Sequence, residues 1–168
     1  MATTLITGAS LGIGLELAKY AASKGDNLIL VARNEEKLNA LATEIKTAYN
    51  VNVKVIAADL SNMQQVQMVY DVCKKENIAI DNLINNAGFG DFGLFAASDW
   101  AKIEQMIQLN ITSLTKMCRL FIPDMIAKKS GKILNVASTA AFMPGPMMAV
   151  YFATKSYVLH FSEAIYNE

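Results

Sequence analysis

Thr7-Gly8-Ala9-Ser10-Leu11-Gly12-Ile13-Gly14 joins a short apolar run, Thr3 to Thr7, to a stretch where Leu15, Ala18 and Ala22 recur at helical spacing. A strand that runs through glycines straight into a helix is a specific arrangement. The glycines let the backbone turn sharply and approach a pyrophosphate, which the helix N-terminus then holds. The spacing is Gly-x-x-x-Gly-x-Gly rather than the commoner Gly-x-Gly-x-x-Gly. Glycines this dense can also be a mere tight turn; their place between strand and helix argues for more.

Outward from this turn, short β runs alternate with helical patterns. Asn27 to Ala32 reads as a second strand. Asn34 then caps a helix with Glu35 and Glu36 in its first turn, where the dipole favours acids, and Leu38, Leu41, Ala42 and Ile45 form its apolar stripe. Val51 to Ala57 is a third strand, and Ser61 with Gln64 predicts a capping box for the next helix. Asn82 to Asn85 is a fourth strand, and Ser98 or Asp99 opens a long helix that Pro123 bends near its end. Gly131 to Ala137 is a fifth strand, and a last helix starts near Val150. This alternation predicts a three-layer, doubly wound parallel sheet of the Rossmann type in one domain, residues 1–168. Gly88 to Ala97 and Thr139 to Met148 both follow strands, so they fall at the carboxyl edge, where such sheets bind ligands.

Composition narrows the function classes. The chain is 53% hydrophobic with zero net charge and a pI of about 6.6. It lacks the basic excess a nucleic-acid or anionic-membrane partner would want. No apolar run reaches transmembrane length, and the N-terminus has no basic secretory leader. Cys73 and Cys118 fall in helical patterns and read as buried, reduced thiols of a cytoplasmic protein. No cluster of metal ligands is seen, and the lone His160 reads as structural.

Five positions bear on chemistry and cofactor choice. Tyr151 and Lys155, four residues apart, share a helix face. A lysine beside a phenol stabilises the tyrosinate and lowers a pKa that starts near ~10, giving an acid/base usable near neutrality. Ser138, just past the fifth strand, could hold a substrate oxygen. At the tip of the second strand stands Arg33, not the acid that would bind a ribose 2′-hydroxyl. Its charge and fork suit a 2′-phosphate, although one solvated arginine is the plain alternative. Asp59 could accept from an adenine amino group, or be an exposed loop acid.

The ordered set Thr7-Gly8-x-x-x-Gly12-x-Gly14, Asn85-Asn86-Ala87-Gly88, Asn110, Ser138 and Tyr151-x-x-x-Lys155 resembles the short-chain dehydrogenase/reductase family from Thr3 to Glu168. The segments Ala87 to Gly93 and Ala137 to Phe142 look like its NADP-preferring bacterial carbonyl-reducing members. The resemblance implies a catalytic set of Asn110, Ser138, Tyr151 and Lys155. Tyr151 would exchange a proton with the substrate oxygen, and Ser138 would hydrogen-bond that oxygen. Lys155 would bind the nicotinamide ribose, and Asn110 would hold a water linking Lys155 to solvent. It implies NADP(H) held by Gly8, Ser10, Gly12, Ile13, Gly14, Arg33, Asp59, Leu60, Asn86, Ala87 and Gly88, with Tyr151 and Lys155. It also implies a small carbonyl or alcohol substrate and a homodimer or homotetramer.

Members of the family usually continue well past the thirteen residues that follow Lys155 here. Their further strands and substrate-covering segment have no counterpart in this sequence, so the expectation is an incomplete fold with an open fifth-strand edge. That leaves a non-catalytic dinucleotide-binding fragment or interaction partner as the alternative to an oxidoreductase. An epimerase or dehydratase of the extended relatives is disfavoured by the spacing of Gly8, Gly12 and Gly14.

Overall fold

A computed structural model describes all 168 residues. Strands β1 (Thr3–Thr7), β2 (Asn27–Ala32), β3 (Val53–Ala57), β4 (Asn82–Asn85) and β5 (Lys132–Asn135) form one parallel sheet in the order β3-β2-β1-β4-β5. Helices α1 (Gly12–Ser23), α2 (Glu35–Tyr49), α3 (Met63–Lys75), α4 (Trp100–Ile107), α5 (Leu114–Ala127) and α6 (Ala149–Tyr166) connect and follow them. Side chains alternate across each strand. Ile6, Leu28 and Leu30 therefore face α1 and α2, meeting Ala18, Ala22, Leu38 and Ile45. Leu5, Ile29, Val31 and Leu83 face α3 and α5, meeting Val66, Val69, Cys73, Met117 and Phe121. Each of the larger side chains contributes roughly 1.5–3 kcal/mol by leaving water.

The winding direction reverses between β1 and β4, which are neighbours in the sheet. That switch point opens a crevice at the carboxyl ends of the strands. β5 lies at one edge of the sheet, with Lys132 and Leu134 exposed and Ile133 and Asn135 half-buried.

Several local expectations change. Ser61 and Gln64 form no capping box: Asn62 caps α3 by accepting from Gln64 N–H at 2.9 Å, while Ser61 turns back to Asp59. β3 begins at Val53, two residues later than the apolar run suggests, and β5 is confined to Lys132–Asn135. The long helix from Trp100 is interrupted by a π-turn, Gln108–Ser113, and Pro123 sits inside α5. Asn34 and Asp99 cap α2 and α4 as expected. Cys73 and Cys118 are free and buried, and burial pushes both thiols up to about 11, so both stay protonated and unreactive near neutrality. His160 is exposed and its Nδ1 lies 2.8 Å from the Ser156 carbonyl of its own helix. No helix is long and apolar enough to cross a membrane.

Candidate active site

The glycine turn is held from behind. Thr7 Oγ1, at the end of β1, accepts from Asn86 N–H at 2.9 Å and Ala87 N–H at 3.0 Å. Asn86 Nδ2 donates to the carbonyls of Thr7 and Gly8 at 3.0 and 3.3 Å. Asn86 thus braces the turn from behind. Its amide explains Gly14: a Cβ there would come within 2.5 Å of Asn86 Nδ2 and closer still to the Gly8 carbonyl. Gly8 and Gly12 adopt φ of +67° and +57°, which side chains disfavour. At Gly12 the space beyond is open.

The N-terminus of α1 differs from those of α2, α3 and α4. Leu11 occupies its cap position, no side chain accepts from its first amides, and no acid stands in its first turn. Free N–H groups at a helix start, reached across open space at Gly12, suit an anion. Beside it lies a cleft of about 260 Å³ at the switch point, lined by Gly8, Ser10, Arg33, Asp59, Leu60, Ala87 and Gly88. These residues fit a dinucleotide. Ile13 is exposed in the first turn of α1. One Asp59 oxygen accepts from Ser61 N–H and Oγ at 2.9 and 2.7 Å, which shapes the loop and leaves the other oxygen to a ligand.

The same cleft holds residues that sequence reading passed over: Leu11, Leu109, Asn34 and Lys37. Lys37 matters most, because it sets a second cation near Arg33. Its signal was present, one turn past the strand tip and four residues after Arg33, but the turn that brings the pair to one wall is tertiary.

Tyr151 and Lys155 meet as their spacing predicts. Lys155 is 7% exposed, its Nζ donates to the Val136 carbonyl at 2.8 Å, and it lies 5.9 Å from the centre of the Tyr151 ring. Burial pushes its pKa below the ordinary lysine value. A buried cation whose one protein partner is a neutral carbonyl is a place where negative charge is welcome. Gly88 leaves room for this group: a Cβ there would stand 3.7 Å from Lys155 Nζ and 2.9 Å from Asn110 Oδ1. Ser138 caps the turn Thr139–Phe142 by accepting from Ala140 N–H at 3.1 Å, so its own proton is left to donate. The turn is tied to α6 by Ser156 Oγ, which donates to the Ala141 carbonyl at 2.7 Å.

Asn110 is buried, not solvent-facing, because the π-turn rotates it inward. Its Oδ1 accepts from Phe89 N–H at 3.1 Å, and its Nδ2 donates to the Phe89 carbonyl at 2.9 Å and to Thr154 Oγ1 at 3.0 Å. The amide therefore stitches the loop after β4 to α6 beside Lys155. Asn110→Leu leaves Phe89 N–H and C=O unpaired in a buried place, so a loss of about 2–4 kcal/mol is expected in urea unfolding. An unchanged midpoint would refute the stitch.

Residues 2–168 match the sequence model of a family described as short chain dehydrogenase. The chain is 35% identical to a very-long-chain 3-oxoacyl-CoA reductase of Anas platyrhynchos, over 99% of this chain and 54% of that protein. It is 34% identical to the inactive hydroxysteroid dehydrogenase-like protein 1 of Homo sapiens, over 98% of this chain and 50% of that protein. A short-chain dehydrogenase from Sphingobium yanoikuyae, solved in complex with NADPH, superposes with a TM-score of 0.93 at 36% identity, over 98% of this chain and 64% of that one. The chain thus spans about half the length of the curated relatives it matches.

Proposed function

The chain belongs to the short-chain dehydrogenase family, and from that premise we propose that it is an NADP(H)-dependent oxidoreductase acting on a carbonyl compound or the matching secondary alcohol. The observation that supports this best is the buried Lys155 ammonium, set between the Val136 carbonyl and the Tyr151 ring. NADPH, when bound, would supply the hydride, with its electron pair, for the carbonyl carbon. Ser138 Oγ donates a hydrogen bond to the carbonyl oxygen and orients it. Tyr151 gives that oxygen its phenolic proton. Lys155 then offsets the charge left on the tyrosinate. Alcohol oxidation runs the same transfers backwards. The uncapped start of α1 would hold the pyrophosphate, and Arg33 and Lys37 would hold the 2′-phosphate.

The test is NADPH oxidation by this chain over a panel of carbonyl compounds, alongside NADPH binding. Binding without turnover would favour a non-catalytic dinucleotide-binding protein. The cofactor preference has its own check. Both cations are exposed, so each is worth about two- to fivefold in NADPH affinity. NADPH should bind more tightly than NADH, Arg33→Ala with Lys37→Ala should equalise the two, and Arg33→Asp should reverse them. Calorimetry giving equal affinities for the unaltered chain would sink the preference for NADP(H). We also propose self-association through α4, α5 and α6, whose apolar residues outnumber those one buried face needs.

A further inference from the structure

Away from the crevice at the carboxyl ends of the strands, another cleft, of about 310 Å³, opens near their amino ends between α3 and α5. The way α3 ends explains it. Asn77 takes φ +55°, and the chain turns back so that Ile78 N–H donates to the Cys73 carbonyl at 2.9 Å. A left-handed residue that closes a helix in this way folds the next apolar side chain under it. The chain then runs through Ile80 to the start of β4. The floor of the cleft is apolar: Cys73, Ile80 and Phe121 are buried and Ile78 is half-buried. A cleft of roughly 300 Å³ over such a floor stands at the lower end of small-molecule sites.

The rim is charged, and its donors outnumber its acceptors. Lys74 Nζ donates to both oxygens of Asp124, at 3.1 and 3.3 Å, and Tyr70 Oη donates to one of them at 3.1 Å. Asp124 is thus engaged from two sides. Lys128 Nζ donates to the Ile80 carbonyl at 2.6 Å and to Asp81, outside the lining, at 2.8 Å. An ammonium carries three protons, so each lysine keeps at least one for a further acceptor. The last carbonyls of α3 do not compete for them: those of Val72, Cys73 and Lys74 accept from the N–H groups of Glu76, Ile78 and Asn77. Lysines at helix ends are common because they offset the dipole, but that role needs no cleft beneath them. Spare ammonium protons above an apolar floor suit an acceptor that carries negative charge on an apolar body.

We propose that this cleft binds a small monocarboxylate with an apolar, ring-sized body, its carboxylate between Lys74 and Lys128 and its body against Ile78, Ile80 and Phe121. The site stands apart from the oxidoreductase reading, since it shares no residue with the cofactor cleft and does not include Tyr151. The test is an NMR titration of the full chain with benzoate, benzamide and acetate. Benzoate should bind and shift the amide signals of Ile78, Ala79 and Ile80. Benzamide, which keeps the ring and loses the charge, should bind about tenfold more weakly. Acetate, which keeps the charge and loses the ring, should be weaker by at least about tenfold. Lys74→Gln and Ala79→Trp both fall at exposed positions. The first should weaken benzoate binding by about two- to fivefold. The second fills the cleft and should weaken it by about tenfold or more. Benzamide binding as tightly as benzoate would overturn the anion, and acetate doing so would overturn the apolar body. Benzoate that shifts the amides of Gly8 and Gly12 instead, or shifts none, would overturn the site.

Discussion

Tyr151→Phe is expected to lower turnover by about 10²–10⁴-fold and leave NADPH affinity nearly unchanged. The substitution removes one hydroxyl and keeps the ring that packs on Gly90 and lies near Lys155. Lys155→Ala should differ in kind: in the proposed mechanism it removes a charge that serves both the tyrosinate and the cofactor ribose, so turnover and NADPH affinity should fall together. The pH profile adds a check. Burial holds the folded-state pKa of Lys155 below the ordinary 10.5, so its charge is present at low pH and lost as pH rises through that depressed value. Activity should therefore decline on the alkaline side before a free lysine would titrate. Single-turnover kinetics with a substrate from the carbonyl panel measure all of this. A Tyr151→Phe chain that kept most of its rate would remove Tyr151 as the proton donor.

Gly14→Ala should be the most damaging small substitution in the chain. The added methyl has nowhere to go, since Asn86 Nδ2 and the Gly8 carbonyl already occupy its position. Asn86 cannot retreat without losing its bonds to Thr7 and Gly8. Overpacking of this kind costs about 1–3 kcal/mol, and here it falls on backbone that cannot relax. The turn also shapes the anion site, so NADPH affinity should fall by tenfold or more, of the order that such a cost implies. Gly12→Ala is the informative contrast. Its left-handed backbone costs about 1–2 kcal/mol, but the methyl points into open space. Urea unfolding and NADPH calorimetry on both variants separate the two causes. Parent-like stability and affinity in Gly14→Ala would show that the turn is looser than its geometry implies.

The order of strands and helices is legible in the sequence because burial imposes a period of two or 3.6 on neighbouring residues, a local signal. Thus β1, β2 and β4 stand where their apolar runs place them. Tyr151 and Lys155 were legible for the same reason, since one helix face holds both. The positive φ of Gly8 and Gly12 could be read from a strand that must turn at once into a helix.

Other features exist only where distant segments meet. Asn86 became a brace because β1 and β4 are neighbours in the sheet, which no local pattern states. Asn110 reached inward because the π-turn adds a residue to the helix and rotates it toward Phe89 and Thr154. Lys37 joined Arg33 on one wall because α2 turns back over the tip of β2. The capping box at Ser61, by contrast, lost to a local competition, since Asn62 and Asp59 offer acceptors two residues away. The sequence by itself determined the elements, the glycine turn and the shared helix face of Tyr151 and Lys155, since each rests on contacts within a few residues. The tertiary structure alone decided which polar groups support them and which side chains line the cleft between α3 and α5. Hydrogen-bond partners and burial there depend on segments far apart in the chain.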